Sequence, residues 1–138
     1  MASQDFTTGV GTKGPWSNSP NVLLYHHKFK AADVTTLGAS DVYTLIDIPA
    51  ESVILQVWGN VRVASATGTV AISDGTVTWS TATAPTTTGP LPLTAVAHVI
   101  NAAAAAIIIT VAAAALAATC EIDVYALVAD NNTEFTAP

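Results

Sequence analysis

Residues 93–118 read LTAVAHVINAAAAAIIITVAAAALAA, 26 positions without a charged side chain. How this stretch is read decides the fold. A hydropathy window takes it for a membrane-spanning helix, since about 20 apolar residues cross a bilayer and alanine is the best helix former. Its details point elsewhere. Alanine is only weakly apolar, and the strongly apolar side chains cluster in one place, Ile107-Ile108-Ile109. The near flanks, Pro90-Leu91-Pro92 and Thr119-Cys120-Glu121, lack the Lys, Arg, Trp or Tyr that anchor a span. The β-branched run 107–111 is strand sequence. It predicts a strand, with residues 102–106 and 112–118 as strand ends or turns where small side chains let backbones approach.

The same imbalance runs through the whole chain. Charged residues make up 10% of its 138 positions and hydrophobic ones 51%, against about 25% charged in an ordinary soluble domain. After Arg62 there is no lysine or arginine, and the 76 residues from 63 to 138 hold five acids. Such a chain cannot build the mixed, charged surface of a typical soluble monomer. Its surface must be hydroxyl-rich and neutral, covered by neighbours, or facing lipid. A net charge of −6 with only Lys13, Lys28, Lys30 and Arg62 as bases argues against a nucleic-acid partner, which needs clustered cations. The single Cys120 excludes an internal disulfide and, with Glu121 beside it, reads as a small core residue rather than a reactive thiol. No basic region followed by an apolar run marks the N-terminus as a signal peptide.

Three segments follow along the chain. Residues 1–20 are rich in Gly, Ser, Thr, Asn and Pro with isolated Phe6, Val10 and Trp16, and read as an extended N-terminal arm that buries no core of its own. Its two large aromatic side chains, Phe6 and Trp16, are candidate anchors on another chain. Residues 21–130 hold strand signals at short spacing: 22–30, 42–48, 53–63, 69–73, 77–80, 96–101, 107–111 and 120–129. Gly59-Asn60 inside 53–63 predicts a bulge or turn. Asp74-Gly75 predicts a hairpin, and 81–92 (TATAPTTTGPLP) a loop. In the last strand Ile122, Val124, Ala126 and Val128 share one face, while Glu121, Asp123, Tyr125 and Leu127 share the other. Residues 131–138 are a polar tail. About eight strands and no helix predict an all-β fold, a single jelly-roll-type β-sandwich.

A search for chemistry finds no active site, and the chain is not expected to be an enzyme. His26 and His27 are adjacent on a strand and point to opposite faces, so they cannot chelate one ion. His98 lies far away in sequence without acidic or thiol companions. No metal and no cofactor is expected. His26, Lys28 and Lys30 share a face that is fitted to meet an acidic neighbour. Glu121 and Asp123 share a face too, where paired acids more often solvate a surface than work as acid and base. No nucleophile elbow or phosphate loop is present.

The segment IDIPAESVILQVWGNVRVASATGTVAISDGTVTW, residues 46–79, with the late strand EIDVYALV, resembles small structural proteins of tailed bacteriophages. These are head decoration (cement) proteins and related capsid-surface or fibre-base proteins with jelly-roll or tumour-necrosis-factor-like sandwiches. The resemblance covers residues 42–129. It implies a homotrimer on the outer surface of the capsid of a virion, with the major capsid protein as partner and the arm as a clamp. Tyr125 and Leu127, opposite the inferred core face, are candidates for the patch at the symmetry axis. The alternatives are a tail or fibre protein binding a host glycan through Trp58 or Trp79, and a small membrane protein such as a holin using 93–118 as its span.

Overall fold

A computed structural model of the chain describes residues 21–34, 41–94, 99–101 and 103–130. The arm with Phe6 and Trp16, His98 and the 131–138 tail lie outside the described residues. The chain forms β1 (Asn21–Lys30), a 3-10 turn (Ala31–Asp33), β2 (Asp41–Ile48), β3 (Ser52–Val63), β4 (Thr69–Ser73), β5 (Thr78–Thr83), β6 (Gly89–Pro90), β7 (Val99–Asn101), β8 (Ala105–Ala112) and β9 (Glu121–Asp130).

Two antiparallel sheets result. The first runs β1-β9-β3-β6, with β7 also on β3, and the second runs β2-β8-β4-β5. First strand pairs with last, β2 with β8, β3 with β6 and β7, and β4 with β5. That nesting is a long hairpin rolled on itself, the jelly roll expected from the strand spacing. The β6 pairs sit at Asn60 and Val61 and the β7 pairs at Ser52 to Ile54. These two short strands therefore divide one position beside β3, and eight positions are filled.

The alternation seen in sequence becomes burial. Ile107, Ile109 and Val111 of β8 face Ile122, Val124, Ala126 and Val128 of β9 across a core that also holds Ile54, Val57, Val70, Ile72 and Trp79. Ile108 between them is half-buried on the outer face, as a period of two requires. Each fully buried side chain of this size contributes about 1.5–3 kcal/mol. The 93–118 stretch thus supplies strands, and among the described residues no helix is long and apolar enough to cross a membrane.

The alanine segment after β8 forms the expected turns with close backbone approach, although Ala113, Ala114, Ala115 and Ala118 are exposed. Ala113 adopts φ 67°. Ser65 Oγ accepts the Ala117 N–H at 2.9 Å, and Thr67 Oγ1 donates to the Ala115 carbonyl at 2.7 Å. Gly68, at φ 80°, comes so near the Ala114 carbonyl that a Cβ there would stand 2.6 Å from the oxygen. At the predicted hairpin, Asp74 Oδ1 accepts the N–H groups of Thr76 and Val77, Oδ2 accepts the Trp79 indole N–H, and Gly75 takes φ 93°.

Two expectations need correction. Gly59-Asn60 is neither bulge nor turn: β3 runs through it, and its register shifts lie between Ile54 and Gln56 and between Val61 and Val63. Gly59 is glycine because a Cβ would stand 2.7 Å from Ile72 Cδ1 and 2.9 Å from Leu91 Cδ1. The loop expected over 81–92 is also shorter, since β5 continues to Thr83 and Gly89–Pro90 pairs with β3.

Candidate interface on the outer face of the first sheet

Strands β1, β9 and β3 lie side by side, and their registers stack side chains in rows. Val22, Ala129 and Val53 form one row; Leu24, Leu127 and Gln56 the next; then His26, Tyr125 and Trp58; then Lys28, Asp123 and Asn60. Because Ile122, Val124, Ala126 and Val128 point into the core, the alternate residues of β9 point outward. The outer face is therefore apolar at one end and charged at the other. Val22 and Leu24 are each 58% exposed there, and an outward run of large aliphatic side chains on an edge strand is what free proteins avoid.

The aromatic row is a three-ring stack. His26 and Tyr125 have centroids 4.7 Å apart at 19°, and Trp58 and Tyr125 lie 5.5 Å apart at 17°. Tyr125 is covered on both ring faces and offers a partner only its edge and hydroxyl. Leu127, half-buried, belongs to the apolar end with Leu24. Of the sequence-derived candidates, the structure thus brings Tyr125 and Leu127 into one strip, with Val22, Leu24, His26 and Trp58 as unforeseen members. Trp79 is fully buried and can line no pocket. Trp58 stands half-buried in the stack.

Next to the stack sits an ionic cluster. Asp123 is 2% exposed although it faces outward. His26 Nε2 lies 3.0 Å from its Oδ1, and Arg62 Nη1 donates to Oδ2 at 3.2 Å. Burial alone would raise the Asp123 pKa. The hydrogen bonds and charges of His26 and Arg62 outweigh it, so the carboxyl lies below its ordinary value. Of the face His26, Lys28 and Lys30, His26 meets an acid within the chain, one strand away. Arg62 reaches the cluster because it shares the outer face with Trp58 and Asn60, two positions beyond the Asn60 that pairs with Asp123. Cys120 is buried, and burial followed by the Glu121 charge pushes its thiol upward.

The outer face of the first sheet joins an exposed apolar end to a satisfied ionic cluster. Its apolar end can be desolvated without stranding a charge, and its one buried carboxylate is already satisfied within the chain. No protein-family model matches the chain, and no curated protein matches it. Among solved structures it is similar to a chain of the cyanophage Pam1 capsid asymmetric unit, with a TM-score of 0.52 and 16% identity over 94% of this chain and 90% of that one. At that identity the likeness is one of fold.

Proposed function

We propose that this chain is a structural protein of a bacteriophage virion. Within that class, it is a head decoration protein that binds the outside of an icosahedral shell and stabilises it. The observation that carries the reading is the shared sandwich with a chain of the Pam1 capsid asymmetric unit over nearly the full length. Composition supports it: a chain with 10% charged residues is suited to a surface largely covered by neighbours. In this account the chain catalyses nothing.

Its partners are copies of itself, as a homotrimer, and the major capsid protein. Closed symmetry repeats one patch around the axis, and the Val22, Leu24 and Leu127 end of the first sheet is that patch. Residues 1–20 reach a neighbour, with Phe6 and Trp16 as anchors. Ordering such an arm costs about 1–2 kcal/mol per residue, and two buried aromatic side chains return about 2–3 kcal/mol each. One arm is therefore weak, but arms repeated over a shell add through multivalency. Glycan binding has less behind it, because Trp79 is fully buried and Trp58 is half-buried with one ring face stacked on Tyr125.

The test is cosedimentation with undecorated phage heads. The full chain should bind them and raise the temperature at which they rupture. A chain lacking residues 1–20 should stay folded and bind more weakly. Failure of the full chain to bind heads refutes the decoration role.

A further inference from the structure

The seam between the two sheets opens where β1 ends and β2 begins. Among the described residues β1 pairs only with β9 and β2 only with β8, so each is the edge of its sheet. Between them lies an open groove of about 330 Å³. Phe29, Tyr43 and Leu45 give it an apolar lining, with the rings of Phe29 and Tyr43 5.6 Å apart. Lys28, Lys30 and Asp33 add charge to its wall.

The lysines are unspent. Neither takes part in either of the ion pairs among the described residues, which both belong to Asp123. Asp123 stands opposite Lys28 in register but is held by His26 and Arg62, and Glu121 stands opposite Lys30 without an ion pair. Half of the chain's four basic side chains thus flank one groove in a protein of net charge −6. Asp33, which is exposed, is the one acid in the lining.

We propose that this groove binds an extended acidic segment of a partner protein. The segment lies along the free edge of β1, in the manner of strand addition, where main-chain bonds give affinity and side-chain pockets give selectivity. Its carboxylates meet Lys28 and Lys30, and one apolar side chain rests on Tyr43 and Leu45, over the buried Phe29. Charge complementarity selects this occupant. A neutral strand would leave two ammonium groups beside a desolvated edge, and two lysines are too few to hold a nucleic-acid backbone against salt. The inference stands apart from the virion role.

Fluorescence anisotropy of the full chain with a labelled Glu-Glu-Phe-Glu-Glu peptide tests it. The controls are a Lys-Lys-Phe-Lys-Lys peptide and a single-stranded DNA pentamer. The acidic peptide should bind, and binding should weaken as salt rises. The double variant Lys28→Glu/Lys30→Glu should lose about tenfold or more in affinity, as expected for two charge-assisted contacts, while its circular dichroism stays that of the parent. Lys28→Gln/Lys30→Gln should fall between. Three results overturn the proposal: no binding of the acidic peptide, equal binding by the parent and the Glu variant, or binding of the basic peptide or the DNA at least as tight.

Discussion

His26 and Asp123 meet across the β1–β9 boundary at 3.0 Å, and the meeting explains how a carboxylate stays charged while almost wholly shielded on an outer sheet face. Asp123 has two donors, His26 from the edge strand and Arg62 from β3. Both donors are about half-exposed, so water supports their charges, and the pair costs less than one sunk in a core.

That arrangement sets a pH dependence. The folded pKa of Asp123 is lowered, so its contribution is present above the unfolded value of about 3.9 and is lost as pH falls through the folded value. Asp123→Asn should lower stability near pH 7 by about 1–2 kcal/mol, a charged hydrogen bond discounted for half-exposed partners. Urea midpoints of parent and variant should differ at pH 7 and converge below about pH 4. A gap that stays constant down to pH 2 would contradict the assignment.

The strand reading of 107–111 makes neighbouring isoleucines unequal. Ile109 is fully buried and Ile108 half-buried on the outer face. Ile109→Ala should cost about 2–5 kcal/mol, cavity included, and Ile108→Ala about 1 kcal/mol. Denaturant unfolding of the two variants measures this. Equal losses would deny the alternation.

Two glycines should rank in a definite order. A Cβ on Gly59 would press on the terminal methyls of Ile72 and Leu91, whereas one on Gly68 would meet the Ala114 carbonyl in a residue at φ 80°. Methyl groups can shift by rotamer, but a backbone carbonyl cannot. Gly59→Ala should cost about 1–3 kcal/mol, and Gly68→Ala more, in the same unfolding assay. The reverse order would mean that the core is tighter than the loop crossing.

The apolar end of the first sheet should govern self-association. Leu24→Asp replaces a 58% exposed side chain, so the monomer should remain folded by circular dichroism. If the proposed trimer forms through this patch, sedimentation velocity should show a parent trimer shifted toward monomer in the variant. An unchanged sedimentation profile, or a monomeric parent, would contradict the proposed contact.

Much of this architecture is legible in the chain because alternation is a local signal. The outward row Glu121, Asp123, Tyr125 and Leu127 follows from period two alone, and so does the cationic face of His26, Lys28 and Lys30. What joins them is not local. The ten-pair β1–β9 register that sets His26 against Tyr125 arises from the rolling of first strand onto last. The outward face of Arg62 is also local, following from alternation with Trp58 and Asn60, but its nearness to Asp123 comes only from the β3–β9 pairing. Gly59 misleads for the same reason: glycine signals a bulge in isolation, but here it accommodates Ile72 and Leu91 from other segments. The Gly89–Pro90 strand is too short to carry any period, and only its pairing with Asn60 and Val61 makes it a strand.

The central claim is a place on the phage head, and an electron-microscopy map of intact virions carrying this protein tests it most directly. The account predicts jelly-roll sandwiches in groups of three on the outside of the shell, each with its first sheet turned toward its neighbours. Density for the sandwich confined to the tail or its fibres, or none on purified particles, would contradict it.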